Sequence, residues 1–218
     1  MRGAYHDAMP EPVPDAYDRL AATYATELGD ELAGKPLDRW LLERVAREAR
    51  GPVLDVGCGP GHVTAFLAAH GADARGVDLS PGMIDVARAR VPHVPFAVGD
   101  LRALPDADGA LGAVVAMYAL VHLRPADLAP AIAELARVLA PGGLLLVALH
   151  AGTEILHPEA LWGIAVDLDW HFHEPEALFA AADAAGLVPV ERLVRWPYDG
   201  HEHASRRAYL LARRRGPG

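Results

Sequence analysis

The sequence predicts an α/β fold, a doubly wound sheet that is mostly parallel and covered by helices on both faces. Three observations predict it. Short apolar runs alternate with segments of helical periodicity from Asp38 onward, the pattern of repeated strand–helix–strand units. Three glycines, Gly57, Gly59 and Gly61, crowd the turn between the first apolar run and the next helical pattern, where such sheets bind ligands. Acids recur beside the tips of the first three runs, as Asp55, Asp78 and Asp100.

Each element follows from its own residues. In "DRWLLERVAREAR", Leu41, Val45 and Ala49 lie on one helical face, and Gly51-Pro52 stops the helix. "PVLDVG" is a short apolar strand. "GHVTAFLAAHG" reads as a helix closed by Gly71, and "ADARGVDLS" as a second strand. Ser80 is an N-cap and Pro81 a first helical residue, so "PGMIDVARAR" is a helix ending before Pro92. "VPFAVGD" is a third strand. "GAVVAMY", a fourth, is apolar throughout, as a strand buried on both faces must be. Leu128, Ile132, Leu135 and Leu139 mark the next helical face, which Pro141-Gly142-Gly143 ends. "LLLVALH" is a fifth strand. "PEALFAAADAAG" is a helix from Pro175 to Gly186, and "LVPVERLVRW" and "RRAYLLARR" are two closing strands.

The 218 residues suit one domain, and 52% hydrophobic content is ample for a core. The formal charge of −9 gives no general attraction to nucleic acid or anionic membranes. The single cysteine, Cys58, allows no intramolecular disulfide, and a cytoplasmic location is the simplest expectation. The start has no apolar core of a secretory signal, and the longest apolar run, "GALGAVVAMYALVHL", is too short to span a bilayer. Residues 1–14 and 213–218 are expected to be flexible tails around a domain of residues 15–212.

The glycine turn admits two ligands. A dinucleotide turn is G-x-G-x-x-G, but here the third glycine comes one place early and His62 stands where it belongs. That counts against a nicotinamide cofactor. Asp78, about 20 residues beyond the turn, suits a ribose. Acids at three neighbouring strand tips would repel a diphosphate and favour a cationic ligand.

"VLDVGCGPG", "GVDLSPGMIDVAR", "VGDLRALP", "AVVAMYALVHL" and "LARVLAPGGLLLV", in this order, resemble class I S-adenosylmethionine-dependent methyltransferases, and more narrowly the small-molecule, single-domain branch. The resemblance spans Tyr17 to Ala212. It implies a Rossmann-like sheet of seven strands with one antiparallel strand near the C-terminus. It implies that Gly57, Cys58, Gly59 and Gly61 admit the methionine end of S-adenosylmethionine, and that Asp55 orients the turn and helps hold the amino group. Asp78 would bind the ribose hydroxyls, Leu79 and Met83 the adenine faces, and Asp100 with Leu101 the adenine edge. Met117 and Tyr118 would meet the methionine end. "YDRLAATYATEL" is similar to a lid helix, with Tyr17 and Tyr24 on its cofactor-facing side and lid helices over about 15–50. One departure is Leu111-Gly112, where the family carries an acid-containing "FD".

Methyl transfer from a sulfonium is an in-line displacement, so the protein positions, desolvates and in some cases removes a proton. S-adenosylhomocysteine would be the product, and no metal is expected. Candidate bases are His122 after the fourth strand, His150 at the end of the fifth, and His157 and His173 in the segment of about 150–174 expected to roof the acceptor. That segment also holds Trp162, Trp170 and Phe172. The expected partner is a small-molecule acceptor of the methyl on O, N or C. An alanine- and arginine-rich chain suggests a GC-rich genome, where natural-product tailoring is common. Two alternatives are an S-adenosylmethionine-binding module without catalysis and a nicotinamide-dependent oxidoreductase.

Overall fold

A computed structural model describes residues 13–216. Its main sheet has seven strands in the order β10-β11-β5-β4-β1-β2-β3. These are β1 (Val53–Val56), β2 (Ala74–Asp78), β3 (Phe96–Val98), β4 (Leu111–Met117), β5 (Leu139–Ala151), β10 (Leu187–Arg195) and β11 (Arg206–Arg214). β1 to β5 pair in parallel, and β11 runs antiparallel to both β5 and β10. The helices are α1 (Val13–Leu28), α2 (Pro36–Glu48), α3 (His62–Ala69), α4 (Pro81–Arg90), α5 (Pro125–Val138) and α6 (Pro175–Ala184).

Alternation along the strands feeds two cores. On β4, Ala113 and Val115 face Leu41, Leu42 and Val45 of α2, while Val114 and Ala116 face Leu128, Ile132 and Leu135 of α5. A strand buried on both faces has no polar side, which explains the apolar run. Strand order reverses between β1 and β4, so their carboxyl ends splay open there.

Several boundaries differ from expectation. The first helix already includes Val13 and Pro14; a proline in the first helical turn forfeits no hydrogen bond. β11 runs on to Arg214 because Arg213 and Arg214 pair with Val188 and Leu187. The rest of the two expected tails, residues 1–12 and 217–218, lies outside the described residues. Leu139 does not extend the helical stripe of α5: its backbone is extended and it opens β5 opposite Leu111. The Leu111-Gly112 departure has a packing cause. A Cβ at Gly112 would lie 2.6 Å from the Arg50 carbonyl carbon and oxygen, so no side chain fits.

Between β5 and α6 lies an insertion with two small hairpin-like sheets: β6 (Ile155–Leu156) with β9 (Trp170–His171), and β7 (Ala160–Leu161) with β8 (Ile164–Ala165). Its Val166 and Leu168 pack on Ala16 and Leu20 of α1. The insertion and the lid helix therefore share one core.

Candidate active site

The glycine turn opens at the reversal of strand order. Gly57, Gly59 and Gly61 have φ of 65°, 50° and 84°, a region that side chains disfavour. A Cβ at Gly57 would meet Ala119 at 2.5 Å, and one at Gly61 would meet Phe96 at 2.8 Å. At Gly59 the nearest atom is on Tyr24, 3.9 Å away, so this glycine leaves open space above the turn. Asp78 holds the turn to β2: its Oδ2 accepts the Gly59 N–H and its Oδ1 the Ser80 N–H, both at 2.9 Å.

Asp55 is buried under the turn and accepts the Thr64 hydroxyl at 2.7 Å. Burial pushes its carboxyl up to about 7, with Thr64 opposing. Such a group gains most from a cation placed beside it. Burial also pushes the Cys58 thiol up, with Asp55 and Asp78 adding to it, so this cysteine is a small packed residue and not a thiolate.

Two neighbouring cavities flank the turn. The smaller, about 100 Å³, is bounded by Asp78, Leu79, Met83, Leu101 and His122. The larger, about 220 Å³, is bounded by Asp55, Cys58 and His62 near the turn and by His150, Trp162 and Trp170 farther out. Tyr17, Tyr24, Gly57, Gly59, Met117 and Tyr118 border both. Tyr17 and Tyr24 lie on one face of α1 with ring centroids 6.2 Å apart. Tyr118 adopts φ 57°, a strained value for an aromatic residue, at the tip of β4. Gly61 supports the turn from beneath. Asp100 stands apart: Arg102 grips both its oxygens at 2.7–3.0 Å and holds its carboxyl below the ordinary value, while its neighbours Gly99 and Leu101 border the cavity.

The four candidate histidines go to different places. His122 borders the smaller cavity and both its nitrogens are engaged. Nδ1–H donates to the Asp169 carbonyl at 2.9 Å, so Nε2 accepts the Tyr17 hydroxyl at 2.8 Å. Burial pulls its pKa down to about 4, which keeps it neutral. It ties the lid helix to the insertion and has no free nitrogen for a proton from an acceptor. His157 is exposed and pairs with Asp169 and Asp167, away from both cavities. His173 is buried, and its Nε2 donates to the Leu120 carbonyl, fastening the insertion to the turn after β4. His150 alone of the four borders the larger cavity. It stacks on Phe172 with centroids 4.9 Å apart.

Sequence reasoning missed three contributors. Lys35, 5% exposed, borders the larger cavity and pairs with Glu31 at 2.6 Å; Glu31 also accepts His62. Arg207, 2% exposed, lies near the start of β11. The β10–β11 loop brings His201, Glu202 and His203 to the same wall. Because β10 runs parallel to β5, this loop is delivered to the carboxyl edge of the sheet. The polar density of "DGHEHASR" was the available signal. Behind the wall, Asp38 accepts Tyr209 at 2.7 Å and Tyr118 at 3.3 Å, and Arg195 forks onto Glu202 at 2.6 and 2.8 Å.

The left-handed glycine turn and the two cavities beside it, at the reversal of strand order, define a Rossmann-like α/β protein with a ligand-sized cleft at the carboxyl edge of its sheet. Residues 53–143 match the methyltransferase domain family. Over 203 residues the chain is 32% identical to a demethylmenaquinone methyltransferase of Beutenbergia cavernae, spanning 90% of this chain and 81% of that protein. The chain belongs to the class I S-adenosylmethionine-dependent methyltransferases, and S-adenosylmethionine is its cofactor. The nicotinamide alternative is thereby set aside. Two solved structures share the fold. One is a chain of the complex between the Haloferax volcanii Trm112 methyltransferase activator and the putative methyltransferase (TM-score 0.75, 22% identity, 95% of this chain and 99% of that one). The other is Burkholderia thailandensis 1,6-didemethyltoxoflavin-N1-methyltransferase with bound 1,6-didemethyltoxoflavin and S-adenosylhomocysteine (TM-score 0.68, 20% identity, 98% and 99%). No helix among the described residues is long and apolar enough to cross a membrane.

Proposed function

We propose that this enzyme methylates a small molecule held in the larger cavity. The observation that carries this reading is the pair of neighbouring cavities. The smaller fits a nucleoside beside Asp78, and the larger offers aromatic walls beyond the turn. A cavity of about 220 Å³ with aromatic walls suits a compact organic acceptor. Its openness also favours catalysis over a binding module without turnover, which would not need acceptor space. The names of the relatives, one acting on demethylmenaquinone and one on a toxoflavin precursor, support a small acceptor. A role in natural-product biosynthesis is part of this proposal.

The residues fit the cofactor. Asp78 would take the ribose hydroxyls, Leu79 and Met83 the adenine, with Leu101 at its edge. Asp100, already paired with Arg102, keeps lone pairs for the adenine edge. Gly59 leaves room for the methionine backbone, and Asp55 gains an amino group as its cation. Tyr17 and Tyr24 of α1 would cover it, and Met117 and Tyr118 would meet its methionine end. When bound, the sulfonium supplies an electrophilic methyl group. The chain's part is to align the acceptor with that methyl and exclude water. Calorimetry with S-adenosylhomocysteine tests the cofactor half; absence of binding at millimolar ligand would overturn it. Turnover with a small-molecule panel tests the acceptor half, and methylation confined to protein or RNA would reject it.

A further inference from the structure

We propose that the acceptor is held through an anionic oxygen, such as a phenolate or enolate, and that Arg207, Ser205 and His150 form the donor chain that receives it. This deepens the proposed function and rests on the larger cavity being the acceptor's.

The direction of the chain follows from its first member. A guanidinium only donates. Arg207 Nη1 donates to Ser205 Oγ at 2.7 Å, so that oxygen is an acceptor there and the serine's one proton must go elsewhere. Two ring nitrogens lie near it: His150 Nδ1 at 2.8 Å and His203 Nδ1 at 3.3 Å. His203 is exposed and has water, so the proton goes to the shorter, more sheltered contact. His150 Nδ1 is then an acceptor. A neutral imidazole in that state carries its proton on Nε2. His150 borders the larger cavity, and no group among the described residues pairs with Nε2. Nε2–H is therefore a free donor on the acceptor's side.

The surroundings keep this imidazole neutral. Phe172 covers one face, and Tyr118 lies 5.4 Å away. Burial is the largest influence, with Arg207, His203 and Lys35 adding to it and Glu202 opposing, and the pKa falls to about 3. A histidine so placed is a poor proton acceptor, which favours a donor role over its expected role as a base. The positive charges of Arg207 and Lys35 favour a negative oxygen. Lys35 and Arg207 lie 4.8 and 5.7 Å from the Tyr118 ring. Arg207 finds its carboxylate partner, Glu202, only at 3.8 Å, and that carboxylate is already forked by Arg195. Arg207 Nη1 and Nη2 also donate to the Ser205 and His203 carbonyls, but these carry no full charge. A buried guanidinium without a close carboxylate of its own gains from an incoming anion. Trp162, Trp170 and Tyr24 give a planar acceptor aromatic walls.

The probe is 4-nitrophenol, whose ionisation is visible in its absorbance, added to protein saturated with S-adenosylhomocysteine. The bound probe should ionise about one pH unit or more below the free probe, and 4-nitroanisole should compete poorly. Nitrogen-15 NMR of wild-type His150 should find the proton on Nε2 throughout about pH 5 to about pH 8. Ser205→Ala should spread that proton over both nitrogens and shrink the probe's shift, while leaving S-adenosylhomocysteine affinity unchanged. A proton on Nδ1 in the wild type, a bound probe that titrates as it does in water, or no probe binding overturns the proposal. Calorimetry on the same samples separates this from the cofactor reading: loss of S-adenosylhomocysteine binding sinks that reading, while the tautomer, measured without ligand, still decides this one.

Discussion

The two halves of the cleft are built in different ways. The cofactor half is local: Asp55, the glycine turn and Asp78 lie within 24 consecutive residues, and a single turn joins them to the strands that position them. The acceptor half is assembled from afar. Lys35 precedes β1, Tyr118, which borders both cavities, follows β4, His150 lies near the end of β5, Trp162 and Trp170 sit in the insertion, and Arg207 is on the last strand. A local site is specified by spacing, whereas a dispersed one is specified by packing and charge pairing.

The largest expected effect strikes the packing of the acceptor half. Asp38→Ala removes the buried carboxylate beneath Tyr209, Tyr118 and Arg195 and should cost about 3 kcal/mol, read by chemical denaturation, with S-adenosylhomocysteine affinity nearly unchanged. Equal loss of cofactor binding would show that the two halves are not separable. Asp78→Ala should do the reverse, weakening S-adenosylhomocysteine about a hundredfold by calorimetry; a loss below about tenfold would break the ribose assignment.

Asp55 sharpens the comparison through pH. Its folded pKa of about 7 lies above the ordinary carboxylate value, so its stabilising contribution to the unliganded fold is lost as pH rises from about 4 to about 7. An amino group prefers the ionised carboxylate, so cofactor affinity moves the opposite way and should fall about tenfold between about pH 8 and about pH 6. Asp55→Asn should flatten both trends, and a variant as pH-sensitive as the wild type would exonerate Asp55. The smallest effect belongs to the seam between the halves. Tyr17→Phe removes one hydrogen bond to His122, about 1 kcal/mol, and should weaken S-adenosylhomocysteine about fivefold with faster amide exchange in α1. Unchanged exchange would mean that this contact does not hold the lid.

This contrast also explains what was legible in the sequence. Alternating apolar runs and caps such as Ser80, which accepts the Met83 N–H at 3.0 Å, reveal the strands and helices because their causes are local. The glycine turn, Asp55 and Asp78 were readable as one local group for the same reason. The partners of His122, Tyr17 and the Asp169 carbonyl, were not legible because they lie 105 and 47 residues away. Arg207 looked like one more strand arginine, and only the β5–β11 register sets it opposite His150. Gly112 looked like a lapse from a pattern, and only the backbone of Arg50 explains it.

The bond from Tyr209 to Asp38 joins residues 171 apart in the chain. On the ribosome, the glycine turn and both of its acids have been made long before that partner exists. A nascent chain halted before β11 holds the glycine turn, Asp55 and Asp78 but lacks Tyr209 and Arg207. Under the proposed reading, the groups that receive the acceptor are therefore completed after those that hold the cofactor.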